Sequence, residues 1–167
     1  MNFKVNAIIP AGGTSSRFGN KNKLLEKIYG KEVIKYTIDA FENSNVDEII
    51  ICANINIIDE LKEIFKNSPK VRIIEGGATR QASVFNGLNA SECDYVLIHD
   101  GARPMISTDL VNSAVEEVKT KKALTVATKT IDTIKEVIDG KIIRTIDRAK
   151  LYNTQTPQAF EYNLIKD

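Results

Sequence analysis

The sequence contains few of the residues that typify secreted, membrane-spanning or metal-rich proteins. Its 167 residues include two cysteines, one histidine and no tryptophan. Cys52 and Cys93 are far apart and lack the spacing of metal ligands, which predicts buried, reduced thiols in a cytosolic protein. No apolar run approaches the ~20 residues needed to span a bilayer, and the N-terminus enters a strand pattern without a signal-peptide layout. We therefore expect a cytoplasmic protein.

An excess of charge of either sign is also absent. The chain has 23 basic and 22 acidic residues, for a formal net charge of +1. General binding to nucleic acid or to a membrane surface needs a basic excess, so both classes of partner are disfavoured and any anion site must be built locally. With 43% hydrophobic residues, the chain can bury one sizeable core. We predict a single domain covering residues 1–167.

Short apolar runs alternate with longer amphipathic segments along most of the chain. The predicted strands are residues 5–9, 48–53, 71–74, 95–99 and 123–128, and the predicted helices are residues 32–41, 57–65, 83–88 and 109–119. Thr108 or Asp109 is expected to cap the last of these helices. Alternating strands and helices predict right-handed crossovers and an α/β fold, a Rossmann-like three-layer sandwich with a mostly parallel sheet.

The alternation ends after Thr130. Residues 133–138 and 141–146 flank the dipeptide Asp139-Gly140, which favours a two-residue turn, so this region is predicted to be a β-hairpin. An isolated hairpin is marginally stable in water. We therefore expect a projecting dimerisation arm at about residues 130–150, with a hairpin folded flat onto its own domain as the alternative.

A glycine-rich loop follows the first predicted strand. Gly12 and Gly13 allow backbone N–H groups to approach phosphates, the hydroxyls of residues 14–16 add donors, and Arg17 and Lys23 supply positive charge for a triphosphate. The spacing fits neither the GxxxxGK[ST] loop nor the GxGxxG fingerprint, so the P-loop and dinucleotide-binding interpretations fail. A solvated loop with ordinary surface cations is the alternative.

Two further polar segments follow later strands. In residues 76–83, paired glycines permit a base to lie against the backbone, the alternative being a strand-to-helix turn with a Thr or Ser cap. In residues 99–104, Asp100 is well placed to hold Mg²⁺, and Arg103 offers a planar fork for a phosphate or for Asp100. A local Asp100–Arg103 ion pair is the alternative there. His99, lacking evident partners, is interpreted as a packed residue and not as a base.

These three loops are expected to converge, because ligands of parallel sheets bind beyond the carboxyl ends of the strands. A fourth polar segment, residues 147–160, is rich in hydroxyls and amides. Arg148 lies at the root of the predicted hairpin, from which it could reach a site across a dimer. Ordinary surface charge is the alternative for Arg148.

Taken together and in this order, the motifs resemble the 2-C-methyl-D-erythritol 4-phosphate cytidylyltransferase (IspD) family. The matching segments are residues 8–13 with Arg17, 76–84, 99–104, 132–135 and 155–158, so the resemblance spans essentially the whole chain. It implies transfer of CMP from CTP to 2-C-methyl-D-erythritol 4-phosphate, with release of pyrophosphate, in isoprenoid precursor biosynthesis. A ribitol-5-phosphate cytidylyltransferase and a non-catalytic CTP-binding module are the alternatives.

The resemblance also implies roles for individual residues. Arg17 and Lys23 would stabilise the charge that develops at the CTP α-phosphate, and Asp100 would serve the ribose–phosphate and Mg²⁺ region. In a homodimer with interlocking arms, Arg148 would reach the partner subunit's site to orient the sugar-alcohol phosphate, with Thr156 nearby. The cytidine pocket would be lined by small residues: Pro10, Ala11, Gly12, Gly13, Gly77, Ala78, Ser83 and Gly101.

The sequence departs from the family pattern in three respects. Ser15 replaces a loop glycine, and Asn22-Lys23-Leu24 replaces the usual Pro-Lys-Gln. The family continues for tens of residues beyond position 167, with a late lysine that contacts substrate phosphate. The resemblance therefore implies that the C-terminal part of the family domain is absent from this chain.

Overall fold

A computed structural model describes residues 3–13 and 22–166 of the chain. The strands are β1 (Val5–Ala11), β2 (Lys27–Ile28), β3 (Lys31–Glu32), β4 (Glu48–Ala53), β5 (Val71–Glu75), β6 (Tyr95–Ile98), β7 (Ala123–Lys129), β8 (Lys135–Ile138), β9 (Lys141–Thr145) and β10 (Tyr152–Glu161). The helices are α1 (Val33–Glu42), α2 (Ile58–Ile64), α3 (Arg80–Ala90), α4 (Thr108–Lys121) and α5 (Tyr162–Lys166), with a short 3-10 helix at Arg148–Lys150. The predicted α/β class is confirmed.

A six-stranded sheet with the order β5-β4-β1-β6-β10-β7 forms the centre of the fold. The four strands from β5 to β6 are parallel, whereas β10 is antiparallel to both β6 and β7. The prediction of a mostly parallel sheet is therefore confirmed, but β10 itself was not predicted. Its pairing sets Gln158 opposite Ile98, which brings the polar segment before it to the end of β6.

Successive side chains of β1 face opposite sides of the sheet, which explains why helices cover the sheet on both sides. Ile9 faces a buried cluster that includes Ile34, Phe41 and Val111, whereas Ile8 faces a second cluster on the opposite side of the sheet. Both residues are fully buried. A strand that is apolar on both faces must be covered on both faces, which helices α1, α2 and α4 do on one side and α3 does on the other.

Helix α3 lies very close to the sheet. At Gly87 an added Cβ atom would lie 2.7 Å from Ile8 Cγ2 and 2.9 Å from Cys52 Sγ, so the absence of a side chain permits this approach. The helix begins at Arg80 and is capped by Thr79, whose hydroxyl accepts a hydrogen bond from the Ala82 N–H at 3.0 Å. Ser83, in the first turn of α3, lies against Gly12 and Gly76, so the N-terminus of the helix lies beside the carboxyl ends of β1 and β5.

The predicted cap of α4 is wrong by one residue. Ser107, and neither Thr108 nor Asp109, is the N-cap, and its hydroxyl accepts from the Leu110 N–H at 3.2 Å. Thr108 is already helical and its hydroxyl donates instead to the Ala40 carbonyl. Residues 107–109 are all of types that can cap a helix, so the local sequence does not identify Ser107 as the cap.

The predicted hairpin is present as β8 and β9. Asp139 and Gly140 have positive φ angles of 48° and 75°, as a primed two-residue turn requires. Within the part of the chain that the structure describes, these two strands pair only with each other. The hairpin exposes more than half of each of four aliphatic side chains: Val137, Ile138, Ile142 and Ile143.

The two cysteines are free thiols, as predicted, but only Cys52 is buried as expected, whereas Cys93 is partly buried. Burial raises the pKa of Cys52 to about 12 and also raises the pKa of Cys93, so both thiols are protonated at neutral pH. Among the helices of residues 22–166, none combines the length and apolar composition needed to cross a bilayer.

Candidate active site

The loops that follow β1, β5 and β6 meet around one cavity of about 510 Å³ at the carboxyl edge of the parallel strands. The predicted site residues that line it are Pro10, Ala11, Gly12, Gly13, Lys23, Ala78, Ser83, Asp100, Gly101 and Arg103. The geometry thus brings most of the predicted site together. Arg17 and residues 14–16, which complete the first predicted loop, lie outside the described residues.

The first and second loops are in direct contact. An added Cβ atom at Gly12 would lie 2.7 Å from Ser83 Oγ and 3.2 Å from the Gly77 carbonyl oxygen. Asn54, at the end of β4, fixes the first loop by donating from Nδ2 to the Gly12 carbonyl at 3.0 Å. Glycine at position 12 therefore allows two loops from different strands to form a single wall.

Ser83 organises the second loop. Its side chain is 1% exposed, and its hydroxyl accepts from the Gly77 N–H at 3.0 Å and lies 3.0 Å from the Thr79 carbonyl oxygen. At Gly77, an added Cβ atom would lie 2.3 Å from Ala82 Cβ. The loop thus needs a residue without a side chain at position 77 and a small hydrogen-bonding one at 83.

Asp100 lies between two arginines at the end of β6. Arg80 Nε donates to Oδ1 at 2.8 Å and Arg103 Nε donates to Oδ2 at 3.2 Å. Burial opposes ionisation, but the hydrogen bonds and charges of Arg80 and Arg103 outweigh it and hold the pKa of the Asp100 carboxyl below its usual value. The Asp100–Arg103 pair considered from the sequence is present, and Asp100 is ionised at neutral pH.

The Asp100 carboxylate meets the requirements of a Mg²⁺ ligand in a nucleotide site. A carboxylate has about four acceptor positions, and the two arginines use two of them. Mg²⁺ in such sites takes one or two carboxylates together with substrate phosphates. Within residues 3–13 and 22–166, no group of three or more His, Cys, Asp or Glu side chains is placed to hold a metal, so a divalent cation would need the nucleotide as co-ligand.

Lys23 lines the same cavity from a tight turn. The Leu24 N–H donates to Asn22 Oδ1 at 3.0 Å, and the Leu25 N–H donates to the Asn22 carbonyl at 3.0 Å. Leu24 is 4% exposed and belongs to the core. Asn22 supplies this turn with its own side chain, and the turn places Lys23 beside the loops.

Arg80 and Asn54 contribute to the site but were not predicted to do so. Arg80 lies within the family-like segment 76–84 and lines the cavity at the first residue of α3. The sequence feature that could have identified Arg80 is its positive charge within residues 76–84, a segment that resembles the family. No sequence feature could have identified Asn54, because only the parallel pairing of β1 with β4 places this residue next to Gly12.

Arg148 and Thr156 lie outside the main cavity. Arg148 is exposed, and its Nη1 donates to the Ile131 carbonyl at 2.7 Å. It is not among the described residues that line the main cavity. Thr156 is 8% exposed and lines a second cavity of about 430 Å³, which shares Arg103 with the first. The chain by itself thus brings Thr156, but not Arg148, next to the candidate active site.

His99 is buried, as predicted, but it does have hydrogen-bond partners. Its ring is 1% exposed and packs against Phe41, with 5.3 Å between ring centroids. Nδ1 lies 2.9 Å from Thr156 Oγ1 and Nε2 lies 3.2 Å from the Arg103 carbonyl oxygen. Burial lowers the pKa of His99, so the ring is neutral at neutral pH.

Comparison with known proteins agrees with this geometry. The family model for IspD, 2-C-methyl-D-erythritol 4-phosphate cytidylyltransferase, matches residues 5–167. A curated relative with that name from Clostridioides difficile is 43% identical over 167 residues, covering 96% of this chain and 70% of the relative. Another with the same name from Lachnoclostridium phytofermentans is 41% identical over 171 residues, covering 98% of this chain and 73% of the relative.

Solved structures give the same result. The 4-diphosphocytidyl-2C-methyl-D-erythritol synthase from Anaerococcus prevotii superposes with a TM-score of 0.88 at 33% identity, covering 98% of this chain and 72% of that one. The 2-C-methyl-D-erythritol 4-phosphate cytidylyltransferase from Thermus thermophilus superposes with a TM-score of 0.76 at 28% identity, covering 98% and 73%. The convergent loops and these matches together show that the chain belongs to the 2-C-methyl-D-erythritol 4-phosphate cytidylyltransferase family.

Proposed function

We propose that this protein transfers CMP from CTP to 2-C-methyl-D-erythritol 4-phosphate, giving 4-diphosphocytidyl-2-C-methyl-D-erythritol and pyrophosphate in the non-mevalonate pathway to isoprenoids. The observation that carries the proposal is the meeting of three strand-end loops with Lys23 around one cavity of about 510 Å³. That volume lies within the usual range of small-ligand pockets. Relatives that are 43% and 41% identical to this chain carry the name of this activity.

In the proposed complex, the cytidine lies against the small residues of the first two loops. Residues 10–13, Ala78, Ser83 and Gly101 line the cavity and would contact the base and ribose. Gly77 is not among the described residues that line it, but its N–H donates to Ser83 and so supports the same loop. The triphosphate lies toward Lys23, and the family resemblance implies that Arg17 contacts it as well. Asp100 and the phosphates would hold a Mg²⁺ ion, which when bound offsets phosphate charge. Arg103 would contact a phosphate or hold Asp100 in place.

The reaction needs positioning and positive charge, and it needs no general base. At neutral pH the acceptor's phosphate is already an anionic nucleophile. One of its oxygens attacks the α-phosphorus of CTP, the bond from that phosphorus to the bridging oxygen of the β-phosphate breaks, and pyrophosphate leaves with the electron pair. Lys23 and Arg17 would stabilise the charge that develops there. His99 is also unavailable as a base, because uncharged protein oxygens already engage both of its ring nitrogens.

A pyrophosphate-release assay with two acceptors tests the proposed activity. With CTP and Mg²⁺, we expect turnover with 2-C-methyl-D-erythritol 4-phosphate to exceed turnover with ribitol 5-phosphate. CTP without acceptor is the control for hydrolysis. Turnover with ribitol 5-phosphate alone would show that the protein uses a different acceptor. If the protein did not bind CTP at all, it would not be a cytidylyltransferase.

We further propose that the protein is a cytoplasmic homodimer in which the hairpin β8–β9 contacts the partner subunit. The apolar side chains of this hairpin are more than half exposed in the single chain, and a two-stranded hairpin is marginally stable by itself. Arg148 follows the hairpin in sequence, outside its own chain's main cavity, so contact with the partner subunit would bring it to the partner's acceptor. Free thiols agree with a cytoplasmic location.

The double substitution Val137→Lys/Ile142→Lys is expected to weaken the dimer. These two residues are register partners, 54% and 65% exposed in the single chain. Burying an aliphatic side chain is worth roughly 1.5–3 kcal/mol, so loss of both contacts should raise the dimer dissociation constant on the order of 10²-fold or more. Sedimentation equilibrium measures this, with Lys141→Ser as the matched control on the same hairpin. An unchanged dimer in the double variant would show that the interface lies elsewhere.

A further inference from the structure

A buried threonine in α1 contacts the loop that carries Asp100. Thr37 is completely buried, and its Oγ1 donates to the Gly101 carbonyl oxygen at 3.1 Å. A threonine in the interior of a helix usually faces solvent or donates to the carbonyl four residues earlier. Thr37 instead reaches a residue 64 positions later in the chain, so its hydroxyl makes a tertiary contact.

The Gly101 carbonyl belongs to a tight turn. The Arg103 N–H donates to the Asp100 carbonyl at 3.0 Å, so residues 100–103 form a β-turn with Gly101 and Ala102 at its centre. The central peptide of a β-turn can take different orientations, as the difference between type I and type II turns shows, and a glycine increases this freedom. The two ends of the turn, Asp100 and Arg103, both line the main cavity.

Thr37 supplies the partner that fixes this central peptide. Gly101 is buried, and among the residues that the structure describes no backbone N–H donates to its carbonyl. A carbonyl oxygen only accepts hydrogen bonds, so the Thr37 hydroxyl is the donor. Because Thr37 is not among the described residues of the cavity wall, the Gly101 carbonyl is directed into the core and away from the cavity.

The start of the same helix holds another part of the site. The Ile34 N–H, in the first turn of α1, donates to the Leu24 carbonyl at 3.0 Å. A helix leaves its first N–H groups without a partner of its own, and here the residue after Lys23 provides one. Helix α1 therefore fixes both the turn that carries Lys23 and the turn at residues 100–103.

We propose that Thr37 is a positioning residue for nucleotide binding: it keeps the Gly101 carbonyl in the core and thereby holds the turn from Asp100 to Arg103 in a conformation that leaves the main cavity open. A buried carbonyl without a donor is unfavourable. Without the Thr37 hydroxyl, the carbonyl gains a partner by turning towards the cavity, where water can reach it. It would then occupy space that we assign to CTP and would displace Asp100 and Arg103. The proposal rests on the proposed function for the identity of the ligand, whereas the Thr37–Gly101 contact does not.

Three substitutions separate this role from a contribution to stability alone. Thr37→Val removes the hydroxyl, and Thr37→Ser retains it. Thr108→Val is the matched control, because Thr108 Oγ1 also donates to a carbonyl at 3.1 Å, that of Ala40 near the other end of α1. Thr108 is not among the described residues that line the cavity. If Thr37→Val does not fold, Thr37→Ala removes the same donor and replaces it.

The contact is tested in the ligand-free protein by NMR. The ¹³C resonance of a backbone carbonyl responds to its hydrogen bonding, so Thr37→Val should shift the resonance of the Gly101 carbonyl. We expect Thr37→Ser and Thr108→Val to leave this resonance close to its position in the parent. An unchanged Gly101 carbonyl resonance in Thr37→Val would overturn the proposal whether or not the protein transfers CMP.

The consequence for binding is measured by titration calorimetry with CTP at saturating Mg²⁺. Loss of one net hydrogen bond corresponds to about a tenfold change in an equilibrium constant, so Thr37→Val should weaken CTP binding about tenfold. Thr37→Ser and Thr108→Val should bind CTP like the parent. Parent-like affinity in Thr37→Val, or equal weakening in Thr108→Val, would refute the positioning role. If the parent itself binds no CTP, the proposed function fails and the positioning role with it, whereas a shifted Gly101 resonance would still establish the contact.

Discussion

Replacing Lys23 by alanine is expected to lower kcat on the order of 10²-fold, because one preorganised charge at the reacting phosphate is lost. Lys23 lines the main cavity beside the loops that would hold CTP. Two anions must approach each other in this reaction, so the loss of a fixed cation raises the barrier more than it weakens ground-state binding. Arg17→Ala is expected to have an effect of the same size, from the role that the family resemblance implies.

Lys27→Ala is the matched control for this prediction. Lys27 is four residues away, its side chain is 61% exposed, and it pairs with Glu32; it is not among the described residues that line the cavity. An exposed ion pair of this kind contributes little, so kcat should stay close to that of the parent. Near-normal turnover in both Lys23→Ala and Arg17→Ala would refute the assigned roles.

Asp100→Asn is expected to weaken binding of CTP with Mg²⁺ by about 10- to 100-fold. The change keeps the size of the side chain but removes the charge that Arg80 and Arg103 contact at 2.8 and 3.2 Å. Hydrogen bonds to charged groups contribute roughly 1.5–3 kcal/mol, and a divalent cation would lose its carboxylate ligand as well. Titration calorimetry with CTP at saturating Mg²⁺ measures the change.

The control for Asp100→Asn is Asp59→Asn. Asp59 is also a carboxylate in an ion pair, here with Lys62 on α2, but it is 91% exposed and is not among the described residues of the cavity wall. CTP affinity should be unaffected. Equal affinities for Asp100→Asn and the parent would mean that Asp100 serves only to hold its arginines, and the Mg²⁺ role would be withdrawn.

The sheet and the main cavity could be predicted from the sequence because they depend on local patterns. Runs such as residues 48–53 are apolar on both faces, which identifies buried parallel strands. Ligand sites of parallel sheets lie at the carboxyl ends of the strands, so the glycines and Asp100 that follow these strands had one common place to meet. Composition and order of elements were sufficient for this inference.

Other features depend on contacts between distant residues and could not be predicted. The segment of β10 is polar, and only its pairing with β6 and β7 makes it a strand. That pairing sets Thr156 beside His99, 57 residues earlier, and so supplies a partner for the His99 ring that its sequence neighbours could not indicate. Arg80 likewise meets Asp100 across 20 residues. Tertiary context overrides local propensity in each case.

A CTP titration of the ¹⁵N-labelled protein, with Mg²⁺ present, tests most directly whether the three loops form one nucleotide pocket. We predict saturable binding of one CTP per chain, with the backbone amides of Gly12, Gly77 and Asp100 shifting along one common binding curve. Because these residues follow three different strands, a shared dissociation constant would require a shared ligand. No saturable binding, or shifts confined to one loop or to a distant surface, would contradict the account.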